Sequence, residues 1–290
     1  MTPQYCSKGH ENPSGSRFCL QCGEKFAEPV NPVQGVHSGQ ILGGRYRIVR
    51  QLGQGGFGRT YLAEDLNRFN EACVLKEFAP QVQGTYALQK AEELFEREAG
   101  VLYKLQHPQI PHFRELFRVT QGGQGTLFLV QDFIEGHTYH ALLNARRSQG
   151  LRFNEAEVTQ LLLQILPVLE YIHSLGVIHR DISPDNLILR STDGLPVLID
   201  FGGVKQIAAT VASQFSSSAA AGAIPATPTR LGKMGYAPHE QMQGGIVHPH
   251  SDLYALAATI MVLLTAKEPQ QLLNPQTLEW DWRKGGQSQP

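Results

Sequence analysis

His179-Arg180-Asp181-Ile182-Ser183-Pro184-Asp185-Asn186 is followed, fourteen residues after Asn186, by Asp200-Phe201-Gly202. The first block offers a carboxylate and, five residues on, an amide; the second offers another carboxylate on a turn. Transfer of a phosphoryl group from a nucleotide asks for that set. One Asp accepts the proton of the attacking hydroxyl, while an Asn and an Asp hold Mg²⁺ on the phosphates. Either block alone is a weak signal. Ordered and spaced as they are, the two together point to phosphoryl transfer.

Upstream, Leu52-Gly53-Gln54-Gly55-Gly56-Phe57-Gly58-Arg59-Thr60 reads as a Gly-rich hairpin over a nucleotide's phosphates. Glycine lets the backbone approach anionic oxygens and adopt positive φ without penalty. The letters G-x-G-x-x-G also serve dinucleotide folds, so the flanks must decide. A dinucleotide loop runs from strand into helix, whereas Tyr61-Leu62-Ala63 continues with strand character. Next comes the apolar run Ala72-Cys73-Val74-Leu75-Lys76-Glu77-Phe78. A lone lysine is usually a solvated surface group. Lys76, flanked by apolar residues behind a phosphate loop, reads better as a phosphate ligand.

Together these blocks resemble eukaryotic-type serine/threonine protein kinases in their bacterial, cyanobacterial-like form. The resemblance implies an α+β, two-lobed fold with a β-rich N-lobe and a helical C-lobe, using ATP and Mg²⁺. It implies Asp181 as base, Asn186 and Asp200 as Mg²⁺ ligands, and Lys76 clamped to the phosphates by a helix glutamate. The segment Ala91–Leu102 has apolar residues at Ala91, Leu94, Phe95, Ala99, Val101 and Leu102, which is helical spacing. Four glutamates compete there; counting back from His107-Pro108 selects Glu98, with Glu96 as the fallback. The strand Thr126–Val130 leads into Gln131-Asp132-Phe133-Ile134-Glu135-Gly136, which resembles the hinge between the lobes and makes Gln131 the gatekeeper. Leu52, Thr60, Val74 and Ile188 would sandwich the adenine. Leu102, Phe113, His179 and Phe201 match the family's stacked column between the lobes and are explained equally well as core.

Residues 207–229 are rich in Ala, Ser, Thr and Gly, with too little apolar surface to offset ordering entropy, and read as an activation segment. Within the resemblance, Thr229 is the expected autophosphorylation site and Thr227 the alternative, where a phosphate would pair with Arg180. The segment ends at Gly235-Tyr236-Ala237-Pro238-His239-Glu240-Gln241, a variant of the A-P-E element with Glu240 as its acid. The run from Ser251 to Leu264 is apolar nearly all round but shorter than the about 20 residues of a membrane span, and it carries Asp252. It reads as the buried central helix, with Asp252 anchoring the catalytic-loop backbone. Only residues 265–290 follow, where kinases carry several more helices, so the C-lobe reads as incomplete, through fragmentation or loss. Glu240 lacks an evident late arginine; Arg283 is a poor match.

Two departures from the family coincide. Two residues after the catalytic Asp the usual lysine is Ser183, and in the activation segment the usual threonine is Lys233. Hydroxyl and ammonium have exchanged places. The expectation is that Lys233 reaches back, bonds Ser183 and Asp181, and supplies the missing charge, making both Ser183 and Lys233 part of the catalytic set.

The N-terminus is a separate object. Cys6-x3-His10 and Cys19-x2-Cys22-Gly23 form two ligand pairs that resemble a zinc ribbon spanning residues 1–26, holding a structural Zn²⁺. A redox Cys19/Cys22 pair is the alternative. A module of that size lacks a core of its own, which a metal clip would explain. Residues 27–40, with Pro29, Pro32, Gly35 and Gly39, read as linker, and residues 41–290 as the kinase domain. In the 290 residues, 25 Lys+Arg nearly balance 26 Asp+Glu, so no global field draws the chain to nucleic acid or membrane. With no signal peptide or apolar span, the expected setting is cytoplasmic and the expected partners are protein substrates. A non-catalytic kinase-fold scaffold is the competing class; intact Asp181, Asn186, Asp200 and Lys76 argue against it.

Overall fold

The structure, a computed structural model, describes residues 4–5, 10–13, 19–22, 36–55, 58–79, 85–121, 124–201, 233–244, 246–274, 277 and 279–281. Near the N-terminus, β1 (Gln4–Tyr5) pairs antiparallel with β2 (Glu11–Asn12). The N-lobe is an antiparallel sheet of β3 (Ile41–Leu42), β4 (Tyr46–Gly55), β5 (Gly58–Asp65), β6 (Glu71–Phe78), β7 (Phe113–Gln121) and β8 (Gln124–Asp132). Its spatial order is β3-β4-β5-β6-β8-β7. The sheet takes up the chain before residue 41: Gly39 N donates to Ile48 O at 2.8 Å and Ile48 N to Gln40 O at 2.9 Å. The last residues of the expected linker thus already belong to the sheet.

The pleat sorts residues onto two faces. Tyr61, Ala63, Cys73, Leu75, Phe128 and Val130 are buried together on the back of the sheet. Val74 pairs with Gln131, and Lys76 with Leu129, so these side chains share the opposite face, toward the cleft. On that side lies α1 (Thr85–Lys104), whose Phe95, Ala99 and Leu102 join Phe78 in the core shared with the C-lobe.

The C-lobe begins with β9 (Gly136–Thr138) and α2 (Tyr139–Arg147), capped by the Thr138 hydroxyl. The next helix, α3 (Glu155–Ser174), starts on a capping box between Asn154 and Glu157 and buries Val158, Leu161, Ile165, Val168, Leu169 and Ile172. That spacing of three and four residues is one helical stripe. β10 (Leu187–Arg190) lies between β9 and β11 (Pro196–Leu198). The short α4 (His239–Gly244) leads to α5 (Pro249–Thr265) and α6 (Pro269–Leu272). As expected, α5 is a largely buried helix that includes the buried Asp252, although Leu253 and Ala257 are exposed along one side of it. Among the described residues no helix is long and apolar enough to cross a membrane.

Candidate active site

Asp181 and Asn186 lie on the loop between α3 and β10. The Asn186 amide nitrogen donates to the Asp181 backbone oxygen at 2.7 Å and to its Oδ2 at 3.0 Å. This commits the amide nitrogen to Asp181 and leaves the carboxamide oxygen, the atom a cation needs. His179 is buried and packs against Phe201, the ring centroids 4.6 Å apart and the planes tilted by 54°. Its Nδ1 takes the Asp181 N–H at 3.3 Å, which leaves Nε2 protonated toward Ile199 O at 3.1 Å. Burial pushes the His179 imidazole below its ordinary value, so the ring stays neutral.

Asp252 anchors this loop. Its fully buried carboxylate accepts the His179 and Arg180 backbone N–H groups, each at 2.8 Å, and meets His173 Nε2 at 2.8 Å. Between those bonds Arg180 is forced to φ 70°, a left-handed conformation that non-glycine residues rarely take. Gln241 Nε2 adds a bond to Arg180 O at 2.8 Å, tying α4 to the same turn.

Lys76 stands on β6 opposite Thr60 of β5, and its ammonium meets Asp200 Oδ1 at 3.0 Å. Glu98, the expected partner of Lys76, has its side chain outside the described residues. The fallback Glu96 turns instead toward Arg118 on β7, at 3.7 Å, away from the lysine. Asp200 also has a left-handed φ, 60°.

The hairpin over the cleft joins Gly55 to Gly58 across β4 and β5, with Gly53 opposite Thr60. Gly58 is required by close approach: a Cβ there would lie 1.8 Å from Glu77 O, at φ 152°. Leu52 and Gln54 are exposed on β4; Gly56 and Phe57 lie outside the described residues. Val74 is buried and Ile188 half-buried, on opposite sides of the cleft, and Gln131, the expected gatekeeper, is buried. Phe133 and Ile134 follow it, half-buried, in the hinge. The Asp132 side chain goes the other way: Asp132 pairs with Cys73, on the back of the sheet. Only its main chain can serve a nucleotide.

The exchange expected at Ser183 and Lys233 takes another form. Lys233 closes on the carboxylate of Asp185, not on Ser183 or Asp181, and sits 5.1 Å from the Tyr236 ring centroid. The reason is access. Asp185 is half-exposed and offers a full negative charge, whereas Ser183 is buried and its hydroxyl makes no hydrogen bond. Thr227 and Thr229 lie outside the described residues. So does Cys6.

At the N-terminal module, ligand atoms of His10, Cys19 and Cys22 lie within 4.8 Å of one another. Asn12, not singled out in the sequence, is buried between them. It accepts from Leu20 N at 2.8 Å and donates to His10 O at 2.9 Å and to Cys19 Sγ at 3.5 Å. Burial alone would raise the Cys19 thiol, but bonds from Cys22, Gln21 and Asn12 outweigh it and bring it to about 6.

An aspartate beside an amide, a carboxylate facing a lysine, and a glycine hairpin offer, on a two-lobed fold, the kinds of groups that a nucleotide's phosphates and their cation would take. The Protein kinase domain family model matches residues 46–285, and the chain belongs to that family. Among its relatives are serine/threonine-protein kinase B of Synechocystis sp., 39% identical over 94% of this chain, and kinase PknA of Nostoc sp., 41% identical over 84%. Serine/threonine-protein kinase C of Synechocystis sp. is 42% identical over 85%. The chain spans 44%, 41% and 44% of those three proteins. Of solved structures, the apo form of PpkA-294 superposes with a TM-score of 0.63 at 25% identity, covering 80% of this chain and 79% of that one. The kinase domain of Mycobacterium tuberculosis PknI gives 0.58 at 24%, covering 81% and 77%, which supports the fold.

Proposed function

We propose that this chain is an ATP-dependent serine/threonine protein kinase of bacterial signalling, transferring the γ-phosphate to protein hydroxyls. The observation that carries the reading is one amide–carboxylate hydrogen bond and one ion pair, drawn from three segments of the chain. Asn186 is held on Asp181 at 3.0 Å, and Lys76 on Asp200 at 3.0 Å. Asp181 is placed to take the hydroxyl proton, and the Asn186 oxygen and Asp200 carboxylate fit a hard divalent cation, which prefers oxygen donors. Mg²⁺, when bound, neutralises charge developing on the phosphates. The Gly58 turn lets the hairpin backbone close over them, and Lys76 is positioned to exchange Asp200 for phosphate oxygens.

Incubation with labelled ATP, Mg²⁺ and a generic basic protein tests this, with Asp181→Asn as the control. Label in wild type and none in the variant supports the reading; equal labelling overturns it. Autophosphorylation at Thr229, or Thr227, belongs to the same proposal, and phosphate mapping of active protein tests it.

The N-terminal module is read with it as a zinc ribbon, in which Cys6, His10, Cys19 and Cys22 hold one structural Zn²⁺. The convergence of His10, Cys19 and Cys22 supports this. Metal analysis of freshly reduced protein should find one Zn²⁺ per chain, lost in Cys19→Ser; finding none favours the redox pair.

A further inference from the structure

A cluster of charges lies behind the hinge, on the face of the sheet away from the cleft. At its centre is Arg114, on β7 where the pairing with β8 shifts register between Phe113 and Glu115. Such a bulge re-aims a side chain. The Arg114 guanidinium, only 5% exposed, donates from Nε to Asp132 Oδ1 at 2.6 Å. Its Nη2 engages the Glu71 carboxylate and lies 3.4 Å from Ala72 O. Its Nη1 lies 3.9 Å from the fully buried Asp65 carboxylate, without a hydrogen bond. Asp65 in turn is gripped by Arg45 at 2.7 and 2.6 Å.

The cluster therefore laces together the ends of β5, β6, β7 and β8 at the edge where the chain enters the hinge. Stability alone is a weak reason for burying such a cluster. Buried ion pairs replaced by apolar groups of similar volume often leave a protein as stable or more so, because desolvation offsets the attraction. What a fork with fixed geometry supplies, and apolar packing does not, is orientation. Asp132 is the residue oriented: its N–H is taken by His112 O at 2.9 Å and its carboxylate by Arg114, so main chain and side chain are both fixed from behind.

We propose that Arg114 is a positioning residue for nucleotide binding. By holding Asp132 from the back of the sheet, it sets the pose of the hinge main chain at Asp132 and Phe133, and through it the affinity for ATP. This rests on the kinase reading above, in which that hinge meets the adenine.

The test compares Arg114→Lys, Asp132→Ala and Arg45→Lys in the full chain. Lysine keeps the charge but cannot span Asp132 and Glu71 at once. Arg114→Lys and Asp132→Ala should each raise the ATP KM, and the Kd of a fluorescent ATP analogue, roughly 5–20-fold with kcat within about 2-fold, the scale of coupling between linked sites. The double variant should add little to either single one. Arg45→Lys loosens the same cluster away from the hinge, so it should lower the denaturation midpoint and leave KM unchanged. The proposal fails if Arg114→Lys and Asp132→Ala lower only the midpoint, or if Arg45→Lys raises KM as much as they do. If Arg114→Lys does not fold, Asp132→Ala alone decides. The analogue Kd separates the two readings: a wild type that binds nucleotide but transfers no phosphate sinks the kinase reading and leaves this one measurable.

Discussion

Replacing Asp252 by alanine should damage the catalytic loop more than any other single change outside it. Its carboxylate is fully buried in the first turn of α5 and is met by three donors, the backbone N–H groups of His179 and Arg180 and His173 Nε2, all at 2.8 Å. Alanine leaves the two backbone donors without an acceptor, and each unmade buried bond costs about 1–3 kcal/mol, so the expected loss is roughly 2–6 kcal/mol. That is a large share of the about 5–15 kcal/mol that holds a domain folded. Asparagine keeps one acceptor oxygen and turns an NH₂ toward the other donor, so its cost should lie near the lower end. Because Arg180 holds a left-handed φ of 70° only while both N–H groups are gripped, the loop should relax and Asp181 should leave its place beside Asn186. Chemical denaturation measures the first effect and kcat the second, with ATP KM the smaller change. An alanine variant within about 0.5 kcal/mol of wild type, a loss typical of surface positions, would refute the anchoring argument.

Lys76→Ala and Asp200→Ala should each reduce phosphoryl transfer by several orders of magnitude while circular dichroism stays that of wild type; transfer at the normal rate disproves their placement. Gly58→Ala puts a Cβ 1.8 Å from Glu77 O, so the hairpin must move and ATP KM should rise while Asp181 chemistry persists; saturation kinetics reads this directly. His107 and His179 are held below their ordinary 6.5 by burial, so below that pH the unfolded chain binds protons that the folded chain does not. Stability is therefore full above pH 6.5 and falls as pH drops, by up to about 1.4 kcal/mol per pH unit for each group. Urea midpoints at pH 7.5, 6.5 and 5.5 should decline accordingly, and a flat series contradicts it. Lys233→Ala removes only a contact with Asp185, so turnover should stay near normal, and a loss of about 10²–10³-fold would place its charge in the transition state instead. Near-normal turnover would leave Lys233–Asp185 a half-exposed ion pair, worth at most about 1 kcal/mol.

The parts legible in the sequence are those fixed by local pattern. The apolar run Ala72–Phe78 placed Val74 and Lys76 on a strand, the spacing of Phe95, Ala99 and Leu102 placed a helix, and the apolar run that follows Asp252 marked a helix buried over most of its surface. The anchor role of Asp252 was implied by the resemblance to kinases, and the structure supplies the donors that a buried carboxylate needs. Partner choice was not readable. Nothing local distinguishes Asp185 from Asp181 as the target of Lys233, and only the fold places the lysine on Asp185. Arg114 likewise looks like one more polar residue in Phe113-Arg114-Glu115-Leu116. Only the register shift beside it turns the guanidinium inward, and register depends on the partner strand.

The same division separates the strained positions of the site from the sequence that carries them. Arg180 and Asp200 both take left-handed backbone angles, each a conformation costing on the order of 1–3 kcal/mol for a side chain with a Cβ. Neither is a glycine, and neither neighbourhood announces a turn of that kind. Each is held by a charge on a remote element: the Arg180 N–H by Asp252 of α5, the Asp200 carboxylate by Lys76 of β6. Charges on remote elements therefore do here what glycine does at Gly58. They let the backbone take a shape that local preference resists, while keeping a side chain at the position where chemistry needs one. Removing such a charge should loosen the site before it unfolds the lobe. The variants of Asp252 and Lys76 should accordingly differ in stability, since only Asp252 satisfies buried backbone donors, yet share a loss of turnover.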